Sequence, residues 1–197
     1  MIEIALCLAV IGFALVAIIG ILPTGMQVQK ENREDTLINQ DGTYLMEAIR
    51  NGDQALDDLT NYVDTITVNG KINTFGNGFT DGREIIGLLS TPADANVRAV
   101  IRCISGSAAE KANTADMKDF AFRYELKVEI SPFGTSGDRT SPDLLSLSNR
   151  LHEVRLQFRW PVLRAGVGRG RQVYRALVGG GLAQTTNNNQ TYYYFRQ

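Results

Sequence analysis

Nineteen residues from Ile4 to Leu22, IALCLAVIGFALVAIIGIL, carry no charge. At about 1.5 Å per residue a helix of that length reaches about 28 Å, close to the roughly 30 Å hydrocarbon thickness of a bilayer. In lipid a helix satisfies all its backbone groups internally, so helix is the form this run takes there. A buried soluble-core helix is disfavoured, because the run is apolar on every side. A secretory signal peptide is disfavoured too. The start is acidic rather than basic, the apolar run is long, and PTGMQ is a poor cleavage site. Gly12 and Gly20 are ordinary in membrane helices, but their spacing is not that of the four-residue glycine dimer motif. One residue stands out. Glu3 sits at the edge of the run, where an ionisable group is costly and is by default a functional candidate.

The remainder is a different kind of chain. The protein has 197 residues, 44 % hydrophobic and 21 % charged, with net charge −1. Only Glu3 lies before Pro23, so residues 23–197 hold 20 Lys+Arg and 20 acids, a balance of zero. That excludes the electrostatic footprint of a nucleic-acid binder. Arg164, Arg169, Arg171 and Arg175 cluster around a glycine-rich stretch and read as a solvated loop. Cys7 and Cys103 belong to different environments, so no disulfide is expected. Two cysteines and the single His152 cannot build a cysteine/histidine zinc site.

At this point the segment I-E-I-A-L-C-L-A-V-I-G-F-A-L-V-A-I-I-G-I-L-P resembles the N-terminus of type IV pilins and type II secretion pseudopilins. There a basic leader is removed by a prepilin peptidase, the new N-terminus is methylated, and the mature chain reads about F-[TS]-L-[IV]-E before some twenty apolar residues. Met1-Ile2-Glu3 matches the last three of those five. Glu3 falls on the family glutamate, and Pro23 lies near the proline that commonly bends the helix. The leader and first two mature residues do not precede Met1: the start lies further upstream, the chain was trimmed, or it is unprocessed. The resemblance implies that Glu3 pairs with the N-terminal amine of a neighbouring subunit and fixes helix register. It implies partners: other pilin-like subunits, an inner-membrane assembly platform, a secretion ATPase and the peptidase. It implies an inner-membrane, single-pass location with a periplasmic head.

Beyond Pro23, Leu37, Ile38, Tyr44, Leu45 and Ile49 mark a helix with one buried stripe, with Gly42 expected to bend or end it locally and Asn51-Gly52 to terminate it. A short helix is expected over Asp53–Tyr62, then turns and short strand pieces through residues 63–82. Ser90-Thr91-Pro92-Ala93-Asp94 reads as a helix start leading into Val97, Val100, Ile101 and Ile104, ended by Gly106, with a strand over VRAVIRCI as the alternative. FAFRYELKVEI (120–130) and LHEVRLQFRW (151–160) alternate as strands, the second ended by Pro161, and GVGRG turns into a return strand QVYRALVG. Clean alternation implies an antiparallel sheet with one face covered, here by the long helix. The expected fold is α+β and pilin-like: residues 1–26 as membrane or filament-core helix, 27–52 its amphipathic continuation, 53–182 the head, and 183–197 a tail. The tail starts flexibly, and its Tyr192, Tyr193, Tyr194 and Phe195 dock on the domain or a neighbour.

No chemistry is nominated. His152 sits at a sheet edge with no serine or cysteine motif beside it. GVGRG precedes a strand, whereas a phosphate cradle precedes a helix. Asp138 and Asp143 offer oxygens of a kind calcium uses, without a matching pattern. Asp57, Asp58 and Asp94 read as surface charge. No cofactor is expected. The leading reading is a non-enzymatic structural subunit, a minor pseudopilin of a type II secretion system. The alternative is a single-pass, membrane-anchored extracytoplasmic binding domain in which Glu3 is incidental, and a tethered enzyme is a third.

Overall fold

Helix α1 spans Ile2–Asn51 and runs without a break through both Pro23 and Gly42. The computed structural model describes residues 2–52, 57–105, 122–134, 147–187 and 189–196. The chain divides into two compact units, Met1–Leu37 and Ile38–Gln197. The first is helix alone. Its apolar half is solvent-facing all round; Ile2, Phe13, Val16 and Ile21 are each at least 70 % exposed. Its later turns are polar and carry spaced pairs typical of a wet helix, Gln27 to Glu31 at 3.1 Å and Lys30 to Glu34 at 3.8 Å.

The second unit is α+β. After the last turns of α1 come a 3-10 turn (Asp57–Asn61), β1 (Val63–Val68), β2 (Lys71–Phe75), β3 (Gly78–Phe79), α2 (Gly82–Leu89), a 3-10 turn (Ala93–Ala95), β4 (Val97–Arg102), β5 (Arg123–Pro132), β6 (Leu151–Leu163), β7 (Gly166–Gly179), β8 (Gly181–Asn187) and β9 (Gln190–Arg196). Seven strands form one sheet in the order β3-β2-β1-β4-β5-β6-β7, antiparallel except for β2 with β3. β8 and β9 form a separate antiparallel hairpin.

The alternation read from the sequence has the correct phase. Tyr124, Leu126, Val128 and Ile130 on β5 and Val154, Leu156, Phe158 and Trp160 on β6 are buried, and their odd-numbered neighbours are partly exposed. Ile38, Leu45, Met46, Ala48 and Ile49 of α1 join the same core. Gly42 does not end the helix. A Cβ there would lie 2.6 Å from the Tyr174 ring, so this glycine lets the helix approach the sheet. The helix stops at Asn51, with Gly52 at φ +63 and its N–H shared between Ala48 O and Ile49 O.

Several expectations are corrected. Val97–Arg102 is a strand, not a helix. Pro92 does precede a helical turn, but Asn96 adopts the left-handed conformation at φ 42 and breaks it. Val97, Ala99 and Ile101 then all point inward at a spacing of two. The sheet does not end at Pro161. Lacking an N–H, the proline sits at a one-residue register shift, and pairing resumes at Val162 with Val167. GVGRG is strand, and the turn is Arg164–Ala165. Gly168 faces Pro161 Cδ at 2.5 Å from its would-be Cβ, and Gly170 lies against the Trp160 indole, so these glycines make room for large neighbours across the ladder.

Helix α2 has no counterpart in the sequence reading. Asp81 caps it by accepting from Glu84 N–H at 2.7 Å, and Glu84 reaches back to Thr80 N–H at 2.6 Å, a variant of the capping box. The expected helix over 53–62 is a 3-10 turn over Asp57–Asn61, with residues 53–56 outside the described residues. The Gly106 stop lies outside them too, as do Phe120 and Ala121 of the first expected strand. Residues 183–197 do not begin as a flexible tail. β8 already starts at Gly181, and Tyr192, Tyr194 and Phe195 are buried in the domain core.

Candidate functional site

Two features of the molecule have an energetic cost that its own fold does not offset. The first is the apolar half of α1. Its window long and apolar enough to cross a membrane has no buried residue. Each large aliphatic side chain left in water forgoes about 1.5–3 kcal/mol of burial. More than a dozen are exposed between Ile2 and Val28, so the surface asks for lipid or other helices by tens of kcal/mol. Glu3 is exposed in the first turn, where a carboxylate favours the positive end of the helix dipole by about 0.3–1 kcal/mol. Pro23 lies inside the helix, at the close of the apolar run. Cys7 is exposed on the same surface and Cys103 is buried in the second unit; neither forms a disulfide among the described residues.

The second feature is Asp41, a carboxylate with no exposed surface in the core of the Ile38–Gln197 unit. Its Oδ2 accepts the Ile104 N–H at 2.9 Å, just past the end of β4. Among the described residues its Oδ1 has no well-formed hydrogen bond, and the buried hydroxyl of Tyr124 on β5 lies beside this carboxylate. Burial, and then the Asp41 carboxylate, hold the Tyr124 phenol well above its ordinary range. Nearby, Cys103 donates its N–H to Phe122 O at 2.9 Å and its Sγ to Ser105 O at 3.1 Å. This cluster ties a helix turn to adjacent strands and fixes one axial position of the helix against the sheet. Farther along, Tyr174 on β7 donates to Asn39 Oδ1 at 2.6 Å, which also accepts from Gln172 Nε2 at 2.8 Å. The sequence signal for Asp41 was there to be read: residues 38, 41, 45 and 49 share one helical face, and 41 is the polar member.

The other residues weighed in the sequence are spread out. His152 is not at a sheet edge but on the interior strand β6, between Pro132 and Val178. It is buried, stacks edge-on against Phe195 at 5.5 Å, and burial lowers its pKa. Asp58 is exposed, and Asp94 lies beside a polar recess lined by Asn69, Thr91, Gln190 and Tyr193. Asp138 and Asp143 lie outside the described residues. Among the described residues no three His, Cys, Asp or Glu side chains gather as metal ligands would. The arginines form no loop cluster. Arg164 is in the turn, and Arg169, Arg171 and Arg175 are on β7.

No family model matches the chain, and no curated protein or solved structure is significantly similar to it.

Proposed function

We propose that this protein is a structural, non-enzymatic subunit of a pilin-like filament, a minor pseudopilin of a type II secretion system, held as a single-pass protein in an inner membrane with its α+β head in the periplasm. The observation that carries the reading is the single helix α1. Its first half is apolar on every side and wholly exposed, and its last turns belong to the core of an antiparallel-sheet domain. Such a helix suits two environments in turn: lipid before assembly, and the bundled helices of other subunits afterwards. Both are apolar, so transfer costs little, and the register of one smooth helix on another has to come from something else. Glu3 is the one charge in that stretch. Pairing it with the N-terminal amine of a neighbour would penalise every other axial offset, since a lone charge in an apolar bundle is costly. The assembly platform and secretion ATPase would supply the extraction work, and a prepilin peptidase would generate the amine.

The test is the intact mass and N-terminal sequence of the protein taken from its native membrane. Two residues before Met1, beginning with an N-methylated phenylalanine, support the filament reading. A chain starting at unmethylated Met1 removes the partner of Glu3 and leaves a membrane-anchored binding domain as the better account.

A further inference from the structure

We propose that the outer edge of β7 is a docking site for an extended acidic segment of a partner protein, which adds to the sheet as an eighth strand. This holds whether or not the filament reading does. β7 is 14 residues long, about 46 Å at the usual rise, and is the last strand of its sheet. Among the described residues no strand pairs with its other edge. The opposite border of the sheet is the two-residue β3, too short to be an inviting template. The inward residues of β7 are committed to the domain: Tyr174 and Gln172 bond to Asn39, and Val178 is buried. The outward residues Arg169, Arg171, Val173, Arg175 and Leu177 are all exposed, the two aliphatics at 51 % and 52 %.

The charge order across the sheet identifies the missing neighbour. On β5, Glu125 and Glu129 stand opposite Arg159 and Arg155 of β6 and are bonded to them at 3.3 and 3.5 Å. On the far side of β6, those same arginines stand directly opposite Arg171 and Arg175. Like charges facing each other across a ladder destabilise it. Among the described residues, no ion pair or side-chain hydrogen bond answers Arg169, Arg171 or Arg175. The row therefore reads acid, base, base, and stops. A strand placed outside β7 with carboxylates opposite Arg171 and Arg175 completes it. Residues directly opposite share a face, so the carboxylates fall four apart, with an aliphatic residue between them opposite Val173. A second copy of β7 is the wrong occupant, since it would bring arginine rows together. Backbone bonds along the edge would supply affinity and the arginine spacing would supply register.

The experiment uses the full chain in neutral detergent micelles and a fluorescent peptide, Val-Thr-Glu-Thr-Val-Thr-Glu-Thr-Glu, whose antiparallel alignment sets its glutamates opposite Arg175, Arg171 and Arg169. Three controls go with it: the peptide with lysine for glutamate, and two peptides N-methylated at alternate positions in opposite phases. Saturable binding of the acidic peptide is expected, at least tenfold tighter than the lysine peptide. One methylated phase is expected to lose it and the other to keep it. The double variant Arg171→Glu/Arg175→Glu is expected to invert the charge preference, with its fold checked by thermal unfolding. No binding, equal binding of both charges, or unchanged binding of both methylated phases overturns the proposal, the last by showing charge attraction without strand pairing.

Discussion

The first turns of α1 and its last turns are built from the same aliphatic residues and are stabilised in opposite ways. From Ile4 to Leu22 the apolar side chains go all round and none is buried by this chain. From Ile38 to Asn51 they are confined to a stripe, and that stripe is part of the domain core. Glycine marks the difference at atomic scale. At Gly12 and Gly20 a Cβ would meet nothing within 4 Å, whereas at Gly42 it would meet an aromatic ring. A polar residue marks it too: Glu3 is exposed, and Asp41 is sealed in and hydrogen-bonded. One half of the helix keeps its sequence for an environment the chain does not supply, and the other for the chain itself.

The sharpest way to break this contrast is a matched pair of truncations. Leu45→Ala is expected to destabilise the domain by about 2–5 kcal/mol, because it empties a fully buried site. Leu8→Ala should leave the domain's unfolding midpoint in detergent unchanged. Equal effects would refute the distinction. Next in size is Gly42→Ala, expected to cost about 1–3 kcal/mol by overpacking against Tyr174, with Gly12→Ala neutral in the same assay. Tyr174→Leu should recover part of the Gly42→Ala loss, and an additive double mutant would show that the ring is not the obstacle. Asp41→Leu leaves the Ile104 N–H without its acceptor and should cost about 1–3 kcal/mol, whereas Glu3→Gln leaves domain stability alone.

The smallest expected effect is with pH, and it separates two groups within the domain. His152 has a lowered folded pKa, so the unfolded chain takes up its proton first. Stability is therefore flat above about pH 7 and falls as pH drops through the unfolded imidazole value near 6.5, until the folded value is passed. Unfolding midpoints at pH 7.5 and 5.5 should differ, and His152→Gln should reduce the difference. Glu129 is held below its ordinary value chiefly by the Lys127 ammonium that bonds it at 2.6 Å. Its contribution is present above about pH 4.5 and is lost only on further acidification. A single transition spanning both windows and untouched by His152→Gln would contradict the assignment.

How much could be read in advance follows the same division. Period-two runs such as Tyr124–Ile130 and Val154–Trp160 were legible because each inward side chain is large and each outward one polar. The membrane-length run was legible from length alone. Helix α2 was not, because GREIIGLL carries two glycines, and the reason for the second lies far along the chain: a Cβ on Gly87 would strike Tyr192 and Tyr194. The Asp81–Glu84 spacing was the local clue. VRAVIR fits either period, and the left-handed Asn96 decided for the strand. GVGRG looked like a turn because its partner, Trp160, is remote in sequence. Asp41 has a visible place on the stripe, but its acceptor role depends on Ile104, which is remote in sequence. The edge arginines read as a loop until β7 was seen to carry them at alternate positions.

The seating of β9 has a consequence for the order in which the molecule can be made. Phe195 lies against His152, its carbonyl lies where a side chain on Gly52 would go, and Tyr192 reaches the Gly78 carbonyl at 3.0 Å. The core begun by residue 38 is therefore completed only when residue 195 has left the ribosome and arrived. The aromatic lock is turned last.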